Sequence, residues 1–120
     1  MGSFSAVPLV SKRILSVRLE GSLTLDDVAR LRLAQRAAIE MVQWEARQYD
    51  LIVDTGGSRI QDGAIAKALD ALRMDPQLEP RRMAFVHGDS PAKMQVRRLA
   101  AQRGDGVFST SAEALAWLKS

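Results

Sequence analysis

The residues best suited to bind a ligand lie in one loop, residues 54–63. The loop follows Leu51-Ile52-Val53, a run of apolar residues that predicts a strand buried on both faces. Gly56 and Gly57 would let a ligand approach the backbone closely. The helix predicted to open at Asp62-Gly63 has free N–H groups that could hold an anion. The candidate partner- or ligand-binding residues are therefore Asp54, Thr55, Gly56, Gly57, Ser58, Asp62 and Gly63.

Other interpretations of this loop stay open. It is neither a P-loop nor a dinucleotide fingerprint, because it lacks Gly-Lys-Ser or Gly-Lys-Thr and three spaced glycines. Gly56-Gly57 could simply form a tight turn before a helix cap. Asp54 could also be a phospho-acceptor, as in response-regulator receivers. However, the acidic pair Asp26-Asp27 is expected to cap a helix and not to hold the magnesium ion that receivers need.

Side chains for catalysis and metal binding are scarce. The chain has no cysteine and only one histidine, His87, so neither a thiolate site nor a multi-histidine site can form. His87, Asp89 and Ser90 have the residue types of a catalytic triad, but Ser90 precedes Pro91 and is expected to cap a helix. We therefore predict a protein without a metal, a cofactor or an enzymatic activity.

The composition is that of an ordinary globular protein. Its 120 residues, 47% apolar and 26% charged, predict a single domain over residues 1–120. The net charge of +3 is spread over 17 basic and 14 acidic residues, without the basic stripe and aromatic platforms typical of nucleic-acid binding. No apolar run approaches the roughly 20 residues of a membrane span, and the N-terminus does not resemble a signal peptide. We expect a cytoplasmic location.

Hydrophobic patterning predicts strands that alternate with helices. Leu15, Val17 and Leu19 alternate with polar residues, which is typical of a strand with one exposed face. The predicted order is β-β-α-β-α-β-α-β-α, with strands at 4–10, 13–20, 51–53, 83–86 and 107–108 and helices at 25–47, 62–74, 91–104 and 110–118. Right-handed crossovers make the later strands parallel neighbours. The predicted fold is α/β, a mixed sheet with an antiparallel N-terminal hairpin at its edge and about four packed helices.

The first predicted helix is apolar over more than one face. Beside its main apolar stripe, a second set of residues extends the apolar surface: Leu33, Ala37 and Trp44. The rest of the domain could cover this set, or it could form an oligomer surface that meets a partner. A homodimer is therefore an open alternative.

The order and spacing of these segments resemble the STAS domain family, whose prototype is the bacterial anti-sigma factor antagonist of the SpoIIAA type. The resemblance covers residues 14–118. It lies in LEGSLT at 19–24, LIVD at 51–54 with Asp62 downstream, MAFVHG at 83–88, and VFSTSAEALAWL at 107–118.

This resemblance implies a STAS-like fold and a regulatory role through protein contact or ligand sensing. In the antagonists, the helix after the third strand opens with Asp-Ser-Ser-Gly or Asp-Ser-Thr-Gly, and the first serine is phosphorylated. Asp62 matches the aspartate, but Gly63 stands where that serine would be. We therefore expect a protein partner at loop 54–63 and the following helix, without that phosphoserine switch. The alternative, suggested by similarity to SEC14-type domains, is a small apolar or anionic ligand between that helix and the sheet.

Overall fold

Strands and helices alternate along the chain in the order that the hydrophobic pattern predicts. A computed structural model describes residues 2–120. A short 3-10 turn, Val10–Lys12, joins the first two strands. The strands are β1 (Ser3–Leu9), β2 (Ile14–Gly21), β3 (Asp50–Ser58), β4 (Met83–Val86) and β5 (Gly106–Phe108), and the helices are α1 (Leu25–Met41), α2 (Gly63–Arg73), α3 (Lys93–Arg103) and α4 (Ser111–Lys119).

The five strands form one mixed sheet in the order β1-β2-β3-β4-β5. β1 runs antiparallel to β2, and each later pair is parallel. This confirms the predicted α/β class and its antiparallel hairpin edge. Because every crossover steps in the same direction along the sheet, right-handed connections place α1, α2 and α3 on one face. The fourth helix, α4, covers part of the other face.

Two apolar clusters lie on the two faces of the sheet. The larger cluster packs Leu15, Val17 and Leu19 of β2 and their neighbours against α1, α2 and α3. The smaller one packs Ile52 of β3 and Ala84 of β4 under α4. All four residues of β4 are buried, as expected for a central parallel strand with helices on both faces.

The first helix is shorter than the hydrophobic pattern predicts. It ends at Met41 and not near residue 47, because Gln43 takes a left-handed conformation with φ of 58°. The Trp44 N–H then donates to the Ile39 carbonyl oxygen at 2.9 Å. Trp44 is only 7% exposed and stacks on Tyr49 with 5.8 Å between ring centroids. The prediction that Trp44 belongs to an oligomer surface is therefore wrong, because the reversal of the chain takes its indole into the core.

Helix caps account for three of the predicted helix starts. Thr24 and Asp27 form a capping box, and the Thr110 hydroxyl accepts from the Glu113 N–H. Ser90 accepts from the Ala92 N–H at 3.0 Å, so the regular part of α3 begins at Lys93 and not at Pro91. Asp62 precedes α2 without a side-chain hydrogen bond to it.

Candidate functional site

The glycine-rich segment of loop 54–63 is an extension of a strand and not a tight turn. β3 continues through Ser58, and Gly57 lies opposite Glu20 after a shift in register, where β3 has one residue more than β2. Gly56 and Gly57 are not among the glycines with positive φ. Gly57 instead gives space, since a Cβ atom there would lie 3.2 Å from the Cγ atom of Glu20. The prediction of a turn is wrong because pairing with β2 keeps this segment extended beyond the end of β4.

The seven predicted site residues divide into buried and exposed positions. The Thr55 hydroxyl is buried and donates to the Val86 carbonyl oxygen at 2.9 Å. Ser58 is also buried, and its carbonyl oxygen accepts from the Ser90 hydroxyl at 2.8 Å. Thr55 and Ser58 therefore connect neighbouring strand ends. Half-buried Asp54 accepts from the Gly56 N–H at 2.8 Å. The exposed members of the set are Gly56, Gly57, Asp62 and Gly63.

Gln61 holds the loop in place, and sequence reasoning missed it. Its Oε1 atom accepts from the buried Leu23 N–H at 2.8 Å. Its Nε2 atom donates to the carbonyl oxygens of Gly21 at 3.0 Å and Arg59 at 2.9 Å. These bonds fix loop 54–63 to the loop that precedes α1. In the sequence, Gln61 stands alone between two residues that are exposed in the structure. No motif or spacing around it indicates these contacts.

A second glutamine connects the same loop to α3. The Gln61 N–H donates to Oε1 of Gln95 at 2.9 Å, and Nε2 of Gln95 donates to the Gln61 carbonyl oxygen at 3.0 Å. The preceding residue, Ile60, is 63% exposed. The loop thus presents an aliphatic side chain to solvent from a backbone that is held on both sides. Arg59 beside it is exposed as well, and we call Gly56, Gly57, Arg59, Ile60, Asp62 and Gly63 the loop surface.

A cavity of about 90 Å³ lies between α2 and the sheet. Of the residues in α2, only Ile65 is buried, and the cavity-lining Leu69 and Leu72 stay half-buried. The lining is mostly aliphatic and aromatic, with a few polar groups, and includes Val53, Phe85, Leu31, Val96, Gln35 and Gln95. The core beneath α2 is therefore incompletely filled, and most of the side chains around the empty space are apolar.

Ion pairs connect α2 to α3 and to the turn after it, at the C-terminal end of α2. Arg73 donates to both carboxylate oxygens of Asp105 at 3.1 and 2.7 Å, and both side chains are largely buried. The hydrogen bond to Asp105 raises the pKa of the Arg73 guanidinium. Arg103 of α3 pairs with Asp70 of α2 at 3.0 Å. Asp70, Arg73 and Asp105 also line the cavity, so its wall includes paired charges.

The structure does not bring His87, Asp89 and Ser90 into a catalytic arrangement. The Ser90 hydroxyl donates to the Ser58 carbonyl oxygen and accepts from the Ala92 N–H. His87 is buried, with its Nδ1 atom 2.8 Å from the carbonyl oxygen of Gly88. His87 is thus a buried side chain just after β4 that bonds to its own loop.

The acidic pair Asp26-Asp27 lies in the first turn of α1, where Asp27 caps the helix. The Asp27 carboxylate accepts from the Thr24 N–H at 2.9 Å, and this bond lowers the pKa of Asp27. Over residues 2–120, no three His, Cys, Asp or Glu side chains are grouped so that they could hold a metal ion. In the same range, no helix has the length and apolar character needed to cross a bilayer.

Comparison with known proteins identifies the fold. No protein-family model and no curated protein sequence matches the chain. An uncharacterized protein of the DUF3478 family from Shewanella loihica, with a SpoIIAA-like fold, superimposes with a TM-score of 0.74 at 16% identity, over 98% of this chain and 95% of the other. An anti-sigma factor antagonist from Mycobacterium paratuberculosis gives 0.67 at 12% identity, over 98% and 96%. The chain therefore has the SpoIIAA-like, STAS-like fold that the spacing of its segments predicted.

Proposed function

We propose that this chain is a regulatory module of the STAS type that binds a protein partner through the loop surface and the start of α2. The observation that carries the proposal is Ile60, which is 63% exposed on a backbone held by the side chains of Gln61 and Gln95. An apolar side chain on a preordered loop loses little conformational entropy when a partner covers it. One solved structure with a similar fold is an anti-sigma factor antagonist, which makes a protein partner the natural first candidate.

We infer that the module works without a phosphorylated hydroxyl in its loop. Gly63 has no side chain at the position where the resemblance places the serine. The hydroxyls of Thr55 and Ser58 are buried and hydrogen-bonded to backbone oxygens. A kinase would have to open the strand to reach either of them. The hydrogen bonds of the Thr55 and Ser58 hydroxyls therefore support partner binding that does not depend on phosphorylation of a hydroxyl in this loop.

We also infer that the module binds without catalysis. The hydroxyl of Ser90, the candidate nucleophile, donates to the Ser58 carbonyl oxygen and accepts from the Ala92 N–H. Nδ1 of His87, the candidate base, lies 2.8 Å from the Gly88 carbonyl oxygen. A hydroxyl held by two backbone partners is not positioned next to an imidazole that could activate it.

Charge-introducing variants at matched positions test the partner surface. Ile60→Glu and Asp62→Arg change the loop surface. Val10→Glu is the control, because Val10 is 62% exposed in the turn between β1 and β2, at the opposite end of the strands. We expect the wild type and Val10→Glu to capture the same specific protein on an affinity column, and both loop variants to lose it. Equal capture by all four proteins would show that the loop is not the contact surface.

The cavity favours a second candidate function, binding of a small apolar molecule. A dry apolar cavity of roughly 150 Å³ is known to hold benzene, so the space of about 90 Å³ beneath α2 suits a smaller apolar molecule or the end of an alkyl chain. Arg73 and Arg103 on the α2–α3 side already pair with carboxylates, which favours an apolar over an anionic ligand.

Methyl NMR with dissolved xenon tests this second candidate. We expect xenon to shift the methyl signals of Leu72 and Val96 in the wild type. Leu69→Trp should fill the cavity and remove the shift, whereas Ala71→Trp, on the exposed side of α2, should keep it. Unchanged methyl signals in the wild type would exclude the ligand-binding function.

A further inference from the structure

The buried face of α1 contains a glutamine. Gln35 is only 6% exposed and lines the cavity beneath α2. It stands four residues after Leu31 and four before Ile39, and side chains at this spacing share one face of a helix. Leu31 and Ile39 both belong to the larger apolar cluster. Gln35 therefore occupies a position where the packing of α1 on the sheet calls for an apolar residue.

The other polar side chains around the cavity have partners within the protein. The hydroxyls of Thr55 and Ser58 donate to backbone carbonyl oxygens. The amides of Gln61 and Gln95 are used by the bonds that hold loop 54–63. The charged side chains of the wall form the ion pairs between α2 and the end of α3. None of these groups needs a ligand to satisfy it.

The amide of Gln35 differs from them. Within residues 2–120, its Oε1 and Nε2 atoms form no hydrogen bond with the rest of the protein. In the same range, every fully enclosed side-chain N or O atom does have a partner, so the Gln35 amide opens to the cavity. An unpaired amide in apolar surroundings costs free energy of folding. Its presence there indicates a partner that is not part of the chain.

We propose that the cavity binds a small neutral molecule whose apolar body lies beneath α2 and whose one polar group, such as a hydroxyl, bonds to the amide of Gln35. The proposal rests on the second candidate function and names the chemistry of its ligand. The amide donates through Nε2 and accepts through Oε1, which suits a group that does both. A charged group is disfavoured, because the charges in the wall are already paired and a buried charge needs a counterion.

The size of the cavity limits the apolar body. The space of about 90 Å³ is smaller than the roughly 150 Å³ that holds benzene, so a chain of about four carbons suits it. Water competes poorly for the same place. A buried water is held by two to four polar groups, whereas Gln35 offers one free amide. A ligand that bonds to this amide therefore displaces water at little cost.

NMR with three ligands of equal chain length tests the proposal: 1-butanol, 1-chlorobutane and butanoate. The side-chain amide signals of Gln35 are those that disappear in Gln35→Met. We expect 1-butanol to shift these signals together with the methyl signals of Leu72 and Val96. It should bind about fivefold more tightly than 1-chlorobutane, because only the hydroxyl bonds to the amide. Butanoate, which is ionised at about pH 7, should shift neither set.

Two matched variants separate the amide from the rest of the cavity. Gln35→Met keeps the length of the side chain and should bind 1-chlorobutane at least as tightly as 1-butanol. It should also unfold at a higher urea concentration than the wild type, because the unpaired amide is gone. Gln102→Met is the control, since Gln102 is exposed on α3 and does not line the cavity. It should keep the ligand preference and the unfolding midpoint of the wild type.

Xenon distinguishes the failure of this inference from the failure of the second candidate function. If xenon shifts the methyl signals but the wild type binds 1-butanol and 1-chlorobutane equally, the cavity binds ligands and the role of Gln35 is wrong. An unchanged preference in Gln35→Met, a lower stability of that variant, or binding of butanoate would also overturn the inference. If neither xenon nor any of the three ligands shifts a signal, both proposals are wrong.

Discussion

Gln61 and Gln95 exchange two hydrogen bonds, each between the backbone of Gln61 and the side-chain amide of Gln95. This pair joins the β3–α2 loop to α3. The side chain of Gln61 continues the network to Gly21 and Leu23. The conformation of the loop surface therefore depends on two amide side chains, which also line the cavity beneath α2.

Gln61→Ala should destabilise the protein by about 2–4 kcal/mol, because it leaves the buried Leu23 N–H and nearby carbonyl oxygens without partners. Urea denaturation measures this change. Gln102→Ala, at an exposed position of α3, is the control and should change the free energy of unfolding by less than about 0.5 kcal/mol. A cost for Gln61→Ala equal to that of the control would mean that the network does not hold the loop.

Arg73→Met should destabilise the protein by about 3 kcal/mol, because it leaves the largely buried Asp105 carboxylate without its cation. The double variant Arg73→Met, Asp105→Leu should recover part of this loss, since it removes both charges from the wall of the cavity. Thermal or urea unfolding of the three proteins gives the comparison. If the double variant is less stable than Arg73→Met alone, the lost packing and not the unpaired charge explains the cost.

Tyr49 should titrate far above the usual range of a phenol. Burial raises its pKa to about 12 from 10.0, and its hydroxyl donates to the Leu78 carbonyl oxygen. Because the pKa is higher in the folded state, this contribution to stability is complete below pH 10 and is lost as the pH rises towards 12.

The chain has one tyrosine, so phenolate absorbance reports on Tyr49 alone. The midpoint should lie near pH 12 in the folded protein and near pH 10 in concentrated urea. A midpoint near pH 10 while circular dichroism still shows folded protein would contradict the buried hydroxyl.

Two glycine substitutions should have opposite effects on stability. Gly104 ends α3 with φ of 70°, so Gly104→Ala should cost about 1 kcal/mol, although no atom lies within 4 Å of the added Cβ. Gly63 begins α2 without positive φ and has equal space. Gly63→Ala should therefore stabilise by about 0.5 kcal/mol, because it restricts the unfolded chain. If urea denaturation gives the same change in the free energy of unfolding for both variants, backbone conformation does not explain the stability of these two sites.

The hydrophobic pattern was sufficient for the order of the elements and for the class of the sheet. Alternation in β2 and continuous apolar runs in β3 and β4 report directly on how many faces of each strand are covered. The starts of α1 and α4 were also predictable, since Thr24 and Thr110 cap them through contacts only three residues long. Each of these signals is local, so the sequence contains it completely.

The tertiary structure alone decided the end of α1, the extended form of Gly56-Gly57 and the role of Gln61. The apolar pattern continues past Met41, and only the left-handed Gln43 and the packing of Trp44 on Tyr49 stop the helix. Gln61 acts across 38 residues on Leu23. Such contacts form between segments that are distant along the chain, so no spacing within either segment encodes them.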